Sequence, residues 1–165
     1  MNRIFIIWTF LMATASYGQE KEGFLRGETR FEMGYPHAGS YSKERPILGV
    51  IQGFSYHFNS KFSSGIETGF VLYPGAFTIP VHAIGSYHFK WWDQYFSWNH
   101  RVGVNTKLGQ NSFFNYRYQT DLRYSMYISA LPIQTFVSLG GAFMWDRWGG
   151  KALNGVFNIG MAYKL

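Results

Sequence analysis

"FTIPVHAIGSYHF", Phe77–Phe89, separates into two rows when alternate residues are taken. Phe77, Ile79, Val81, Ala83, Gly85, Tyr87 and Phe89 form one row; Thr78, Pro80, His82, Ile84, Ser86 and His88 form the other. A period of two marks a β-strand, because successive side chains point to opposite faces of the pleat. The run is about twice the ~5–6 residues of an ordinary strand. What so long an apolar row touches decides the fold.

The same alternation recurs along the chain. "LRGETRFEMGY" (Leu25–Tyr35) sets Leu25, Thr29, Phe31, Met33 and Tyr35 against Arg26, Glu28, Arg30 and Glu32. "FNYRYQTDLRYSMY" sets Phe114, Tyr116, Tyr118, Leu122, Tyr124 and Met126 against Asn115, Arg117, Gln119, Asp121, Arg123 and Ser125. "PILGVIQGFSYHF", "FSSGIETGFVLY", "YFSWNHRVGVNTKL", "IQTFVSLGGAFMW" and "ALNGVFNIGMAYKL" bring the set to eight strands. The connections "HAGSYSKER", "PGA", "LGQNS" and "DRWGGK" alternate with "NSK", "KWWDQ" and "SALP". Four junctions on one side and three on the other predict an up-and-down meander with both termini at the same end.

Alternation alone does not say whether the apolar face meets a protein core or lipid. Length favours lipid: the strands run to ~11–14 residues, and a tilted membrane-spanning strand needs ~9–11. Bulk favours it too. Eight rows of Phe, Tyr, Trp, Leu and Ile overfill the interior of an eight-stranded barrel, which is wide enough only for side chains to fill. The opposite rows suit a narrow interior, since they mix charges of both signs with Gly49, Gly53, Ser55, Gly65, Gly69, Ser86, Ser138, Gly140 and Gly160. The alternative, a soluble lipocalin-like carrier, needs the bulky rows inside. In hydrocarbon each unpaired backbone group costs several kcal/mol, so the sheet has to close. The prediction is all-β: a transmembrane antiparallel up-and-down barrel of about eight strands. Pro80 lacks a donor for the ladder, and its place early in its strand predicts a bulge or a frayed rim.

Composition agrees. Apolar residues make up 47% of the 165 and aromatics 21%, while charged residues reach 15%, below the ~25% of an ordinary soluble domain. The net charge of +6 comes from Lys and Arg scattered without a basic run, which argues against nucleic acid. With no cysteine, disulfides, thiolate zinc sites and a lipid-anchored cysteine are excluded. "MNRIFIIWTFLMATASYGQ" opens with Arg3, continues apolar to about Ala13 and ends in small residues. That is the layout of a secretory signal peptide. Residues 1–18 are expected to be removed, by cleavage after Gly18 or after Ala15, leaving the barrel domain over 19–165.

At this point the chain resembles the small Gram-negative outer-membrane β-barrels of the porin-like outer-membrane barrel domain type. Three pieces carry the resemblance: "GFSYHFNSKFSSGIETGF", "FTIPVHAIGSYHF" and the terminal "GVFNIGMAYKL". The resemblance implies a cell outer-membrane location, contact with outer-membrane lipid, and a last strand read as an assembly signal by the outer-membrane insertion machinery. Phe157, Ile159, Met161, Tyr163 and Leu165 hold the alternating apolar positions of that strand, with Leu165 where the usual final aromatic stands.

The candidate site is the inward polar network: Arg26, Glu28, Arg30, Glu32, Glu67, Arg101, Lys107, Arg117, Asp121, Arg123, Asp146 and Lys164. Charges in a low-dielectric interior persist mainly when paired, so an ion-paired plug is expected, with a small pore as the other reading. No cofactor is expected, and no metal. His82 and His88 share a face but stand ~20 Å apart along an extended strand; His57 and His88 fall near one rim on non-neighbouring strands. Some barrels that this one resembles modify lipid A acyl chains. For that chemistry the sequence offers outward-facing His100 opposite Thr120 if the strands turn about Gln110, half of an activated-nucleophile pair. No orienting carboxylate shares that face. The expected role is structural or interactive, without catalysis.

Overall fold

The computed structural model describes residues 23–39, 46–73, 76–108, 114–127, 133–146 and 150–165. The expected signal segment, Gln110 and most of the "HAGSYSKER", "LGQNS" and "SALP" connections lie outside the described residues. Eight strands follow one another: β1 (Phe24–Gly39), β2 (Ile47–His57), β3 (Phe62–Tyr73), β4 (Ala76–Trp91), β5 (Gln94–Leu108), β6 (Phe114–Tyr127), β7 (Ile133–Asp146) and β8 (Lys151–Lys164). Each pairs antiparallel with its neighbours in sequence, and β8 pairs with β1 to close the barrel. Arg26 stands opposite Lys164, so the start of β1 and the end of β8 lie at one rim.

The deciding stretch lies within β4, and its two rows separate as the alternation predicts. Phe77, Val81 and Tyr87 are exposed on the outside, while Thr78, His82 and Ser86 are buried inside. The same holds for adjacent residues of β3: Ile66 is 66% exposed and Glu67 2%. Around the barrel the outer surface carries Phe31, Phe54, Phe70, Trp98, Tyr118, Leu139, Phe157 and Ile159. An apolar exterior on a sheet without an edge is the arrangement that hydrocarbon demands. Among the described residues no helix is long and apolar enough to cross a membrane; the strands are the crossing elements.

Two local expectations are corrected. Pro80 makes no bulge. β3 pairs with β4 at Thr68↔Val81 and again at Val71↔Thr78 in unbroken register, and the ladder skips the two positions between. On the other side Pro80 still stands opposite Asn105. A missing donor costs a bond locally, while the paired stretches on either side hold the register. β1 also runs past Tyr35 into the expected connection. Pro36, Ala38 and Gly39 pair with Asn154, Leu153 and Ala152, and a register shift between Pro36 and Ala38 absorbs the irregularity. The bulge expected at one proline is thus found beside another.

The β4–β5 turn is two residues long, with Trp91 opposite Gln94. Trp92 and Asp93 both have positive φ, 49° and 60°, as a type I′ turn requires to match the twist of its strands. Trp92 is almost fully exposed beside Trp91, where an indole suits the membrane–water interface.

Candidate functional site

The alternation that turns the bulky rows outward turns the charged rows inward, and there the charges meet. Glu67 on β3 is the hub. Arg30 of β1 donates to both of its oxygens, with Nη2 to Oε1 at 2.8 Å. Arg101 of β5 donates Nε to Oε2 at 3.1 Å, and His82 Nδ1 of β4 lies 2.9 Å from Oε1. Arg101 also reaches Asp121 of β6, which accepts from Asn99 at 2.9 Å and Gln119 at 3.3 Å. Arg117 donates to Gln119 at 2.6 Å and to Glu32 at 2.7 Å. Glu32 lies 3.6 Å from Arg30, so the chain of contacts returns to its start across β1, β3, β5 and β6. Glu28 hangs from this ring by Arg30 and is gripped by both terminal nitrogens of Arg123, at 2.6 and 2.8 Å.

Eight of the twelve expected network residues therefore join: Glu28, Arg30, Glu32, Glu67, Arg101, Arg117, Asp121 and Arg123. Three others lie toward the ends of the barrel. Arg26 and Lys164 lie at the rim where β1 starts and β8 ends, with the Lys164 ammonium 4.8 Å from the centre of the Phe24 ring. Lys107 is half-exposed, opposite Thr78 near the far end of β5. The side chain of Asp146 lies outside the described residues.

The network also recruits groups outside the Asp, Glu, Lys and Arg pattern. His82 bridges Glu67 and Asn105, its Nε2 being 2.9 Å from Asn105 Oδ1. Asn105 in turn donates to the Tyr73 hydroxyl at 2.8 Å. Their inward parity was readable, but their partners are far away in sequence. Some of the interior is apolar. Ile47, Ile51 and Val71 cluster with Tyr73 against them, and Phe136 lies under the Arg123 guanidinium at 3.8 Å. β7 hides Phe136 in the sequence because its inward row mixes Phe136, Ala142 and Met144 with Gln134 and Ser138.

The outward pair behaves differently. His100 stands opposite Thr120. His100 Nδ1 lies 2.8 Å from the Tyr118 hydroxyl, and Thr120 Oγ1 accepts from the Trp98 indole at 2.7 Å. The five apolar positions of the terminal stretch follow the outward row of β8: Phe157, Ile159, Met161 and, just past the strand, Leu165 are exposed, and Tyr163 is half-buried.

An edgeless eight-stranded sheet with an apolar exterior and an ion-paired lumen defines a transmembrane β-barrel. Among solved structures, Neisserial surface protein A superposes with a TM-score of 0.58 at 9% identity, over 87% of this chain and 97% of that one. The N-terminal β-barrel domain of Pseudomonas aeruginosa OprF gives 0.47 at 11% identity, over 87% and 100%. Yersinia pestis Ail in a phospholipid nanodisc gives 0.47 at 12% identity, over 87% and 100%. The first of these establishes the shared fold. No protein-family profile and no curated protein matches the sequence.

Proposed function

We propose that this chain is an exported, integral outer-membrane barrel whose lumen is a closed plug, and that its role is structural or interactive. The observation that carries the proposal is the ring of side chains linking Arg30, Glu67, Arg101, Asp121, Gln119, Arg117 and Glu32 across the interior. Eight strands leave room for side chains, whereas water-filled channels belong to barrels of about sixteen to eighteen strands. Here the room is taken by residues that hold one another. Purified protein in planar bilayers should show no sustained conductance. Steady porin-like currents from a monomer would refute the plug and make the same charges a selectivity filter.

The remaining parts of the proposal are its address and assembly. Residues 1–18 have the composition of a cleaved signal peptide, so protein recovered from outer membranes should begin between Ser16 and Glu20. Met1 at the N-terminus of that material would contradict it. The outward row of β8 would present the assembly signal. Catalysis is not part of the proposal, since the bonds of His100 to Tyr118 and of Thr120 to Trp98 give the pair a structural use. Lipid A isolated with and without the protein should be identical; a changed acyl pattern would restore the enzyme reading.

A further inference from the structure

The rim where β1 starts and β8 ends holds a cavity of about 480 Å³, and basic side chains dominate its charge. Its lining includes Phe24, Arg26, His57, Lys61, His88 and Lys90 and, among the described residues, no Asp or Glu. The rings of Phe24, His57 and His88 form a continuous stack, with centroids 4.5 and 4.8 Å apart. Ser97, Ser125 and Gln134 add buried polar groups to the same walls.

Arg26 is the distinctive member. Four arginines in the lumen, Arg30, Arg101, Arg117 and Arg123, each meet a carboxylate. Some of their nitrogens are buried without a hydrogen bond, but each guanidinium has its counter-charge. Arg26 Nη2 is buried without a hydrogen bond, and among the described residues no carboxylate lies within ion-pair distance of Arg26. Glu28, two residues along, is held through both oxygens by Arg123. Arg26 is half-buried, with one terminal nitrogen out of reach of solvent, and a guanidinium fork matches a phosphate or carboxylate edge.

The walls choose between those anions. Donor side chains line it from several strands: Arg26 on β1, Ser97 on β5, Ser125 on β6, Gln134 on β7, and the exposed Lys61 and Lys90. That arrangement suits an oxyanion with oxygens in several directions better than a flat carboxylate. Tyr87 and Phe96, from outward rows, line the same cavity, so it opens to the interfacial zone as well as to the lumen. In transmembrane barrels the side with short turns faces the periplasm.

We propose that this mouth binds an anionic phosphate ester, with Arg26 on the phosphate and the Phe24–His57–His88 stack against the ester substituent. The same chemistry is offered by a soluble phosphate ester and by the headgroup of an anionic inner-leaflet lipid. The inference does not depend on whether the lumen conducts.

The test follows the imidazole resonances of His57 and His88 in isotope-labelled, refolded protein. Glycerol 3-phosphate is added to barrels in neutral detergent. In a second arm, nanodiscs of phosphatidylglycerol are compared with nanodiscs of phosphatidylcholine. Saturable shifts in the first arm identify a soluble ester; shifts with phosphatidylglycerol alone identify a lipid headgroup. In the responding arm Arg26→Gln should weaken binding about tenfold and the double variant Lys61→Gln/Lys90→Gln roughly threefold, while Lys151→Gln on the far rim leaves it unchanged. Heat-modifiable gel mobility reports folding of each variant, and if Arg26→Gln does not fold, the double variant decides. Absence of a saturable shift in both arms, or undiminished binding in the deciding variant, overturns the proposal.

Discussion

A single carboxylate, Glu67, accepts from two arginines and contacts a histidine inside a barrel wall that admits almost no solvent. Its removal leaves Arg30 and Arg101 with less counter-charge than they were buried with, and breaking a buried pair from one side costs ~3–5 kcal/mol. Glu67→Ala should therefore lower unfolding stability in liposomes by about that amount. The adjacent Thr68 faces outward and is exposed, so Thr68→Ala should stay within about 0.5 kcal/mol. Equal effects would mean that the network contributes little. At this scale the sequence shows direction and hides partnership. Parity alone turns Arg30, Glu67, Arg101 and Asp121 to one face. Nothing local shows that Arg117 meets Glu32 or that Arg123 meets Glu28, pairs 85 and 95 residues apart.

β6 and β7 pack closely at inward Gly140. A Cβ added to Gly140 would lie 2.0 Å from the Thr120 carbonyl oxygen and 2.6 Å from the Asp121 Cα. Both are backbone, which cannot swing aside, so β6 and β7 must separate to admit it. Gly155 on the outer face of β8 has nothing within 4 Å of the same position. Gly140→Ala should cost about 1–3 kcal/mol, as overpacking does, and Gly155→Ala should be near neutral; urea titrations of both folded barrels check the contrast. Strand existence and facing were legible because the alternation is long and the outer row bulky. Two things were not. β7 gives no clean period, so inward Phe136 and Met144 stood unmarked, and the ends of β1 depend on β8, a partner at the other terminus of the chain. Pro80 warned of a defect but not of its form, since register is set by the many pairs that a proline does not touch.

At the scale of the molecule, closure joins the other two. An open sheet with this exterior would expose both an apolar face and a row of unpaired backbone groups; pairing β8 to β1 removes the edge, and lipid accepts the face. One row of every strand thus meets hydrocarbon and the other fills the lumen. The chain has no cysteine, so single cysteines can be placed one at a time from Phe77 to Phe89 and spin-labelled after folding into bilayers. Accessibility to oxygen dissolved in the membrane should be high at Ile79, Val81, Ala83, Gly85 and Tyr87, alternating with low accessibility at Pro80, His82, Ile84 and Ser86. A reversed alternation would put the bulky row inside, and a flat profile would mean that this stretch does not cross the membrane as a strand.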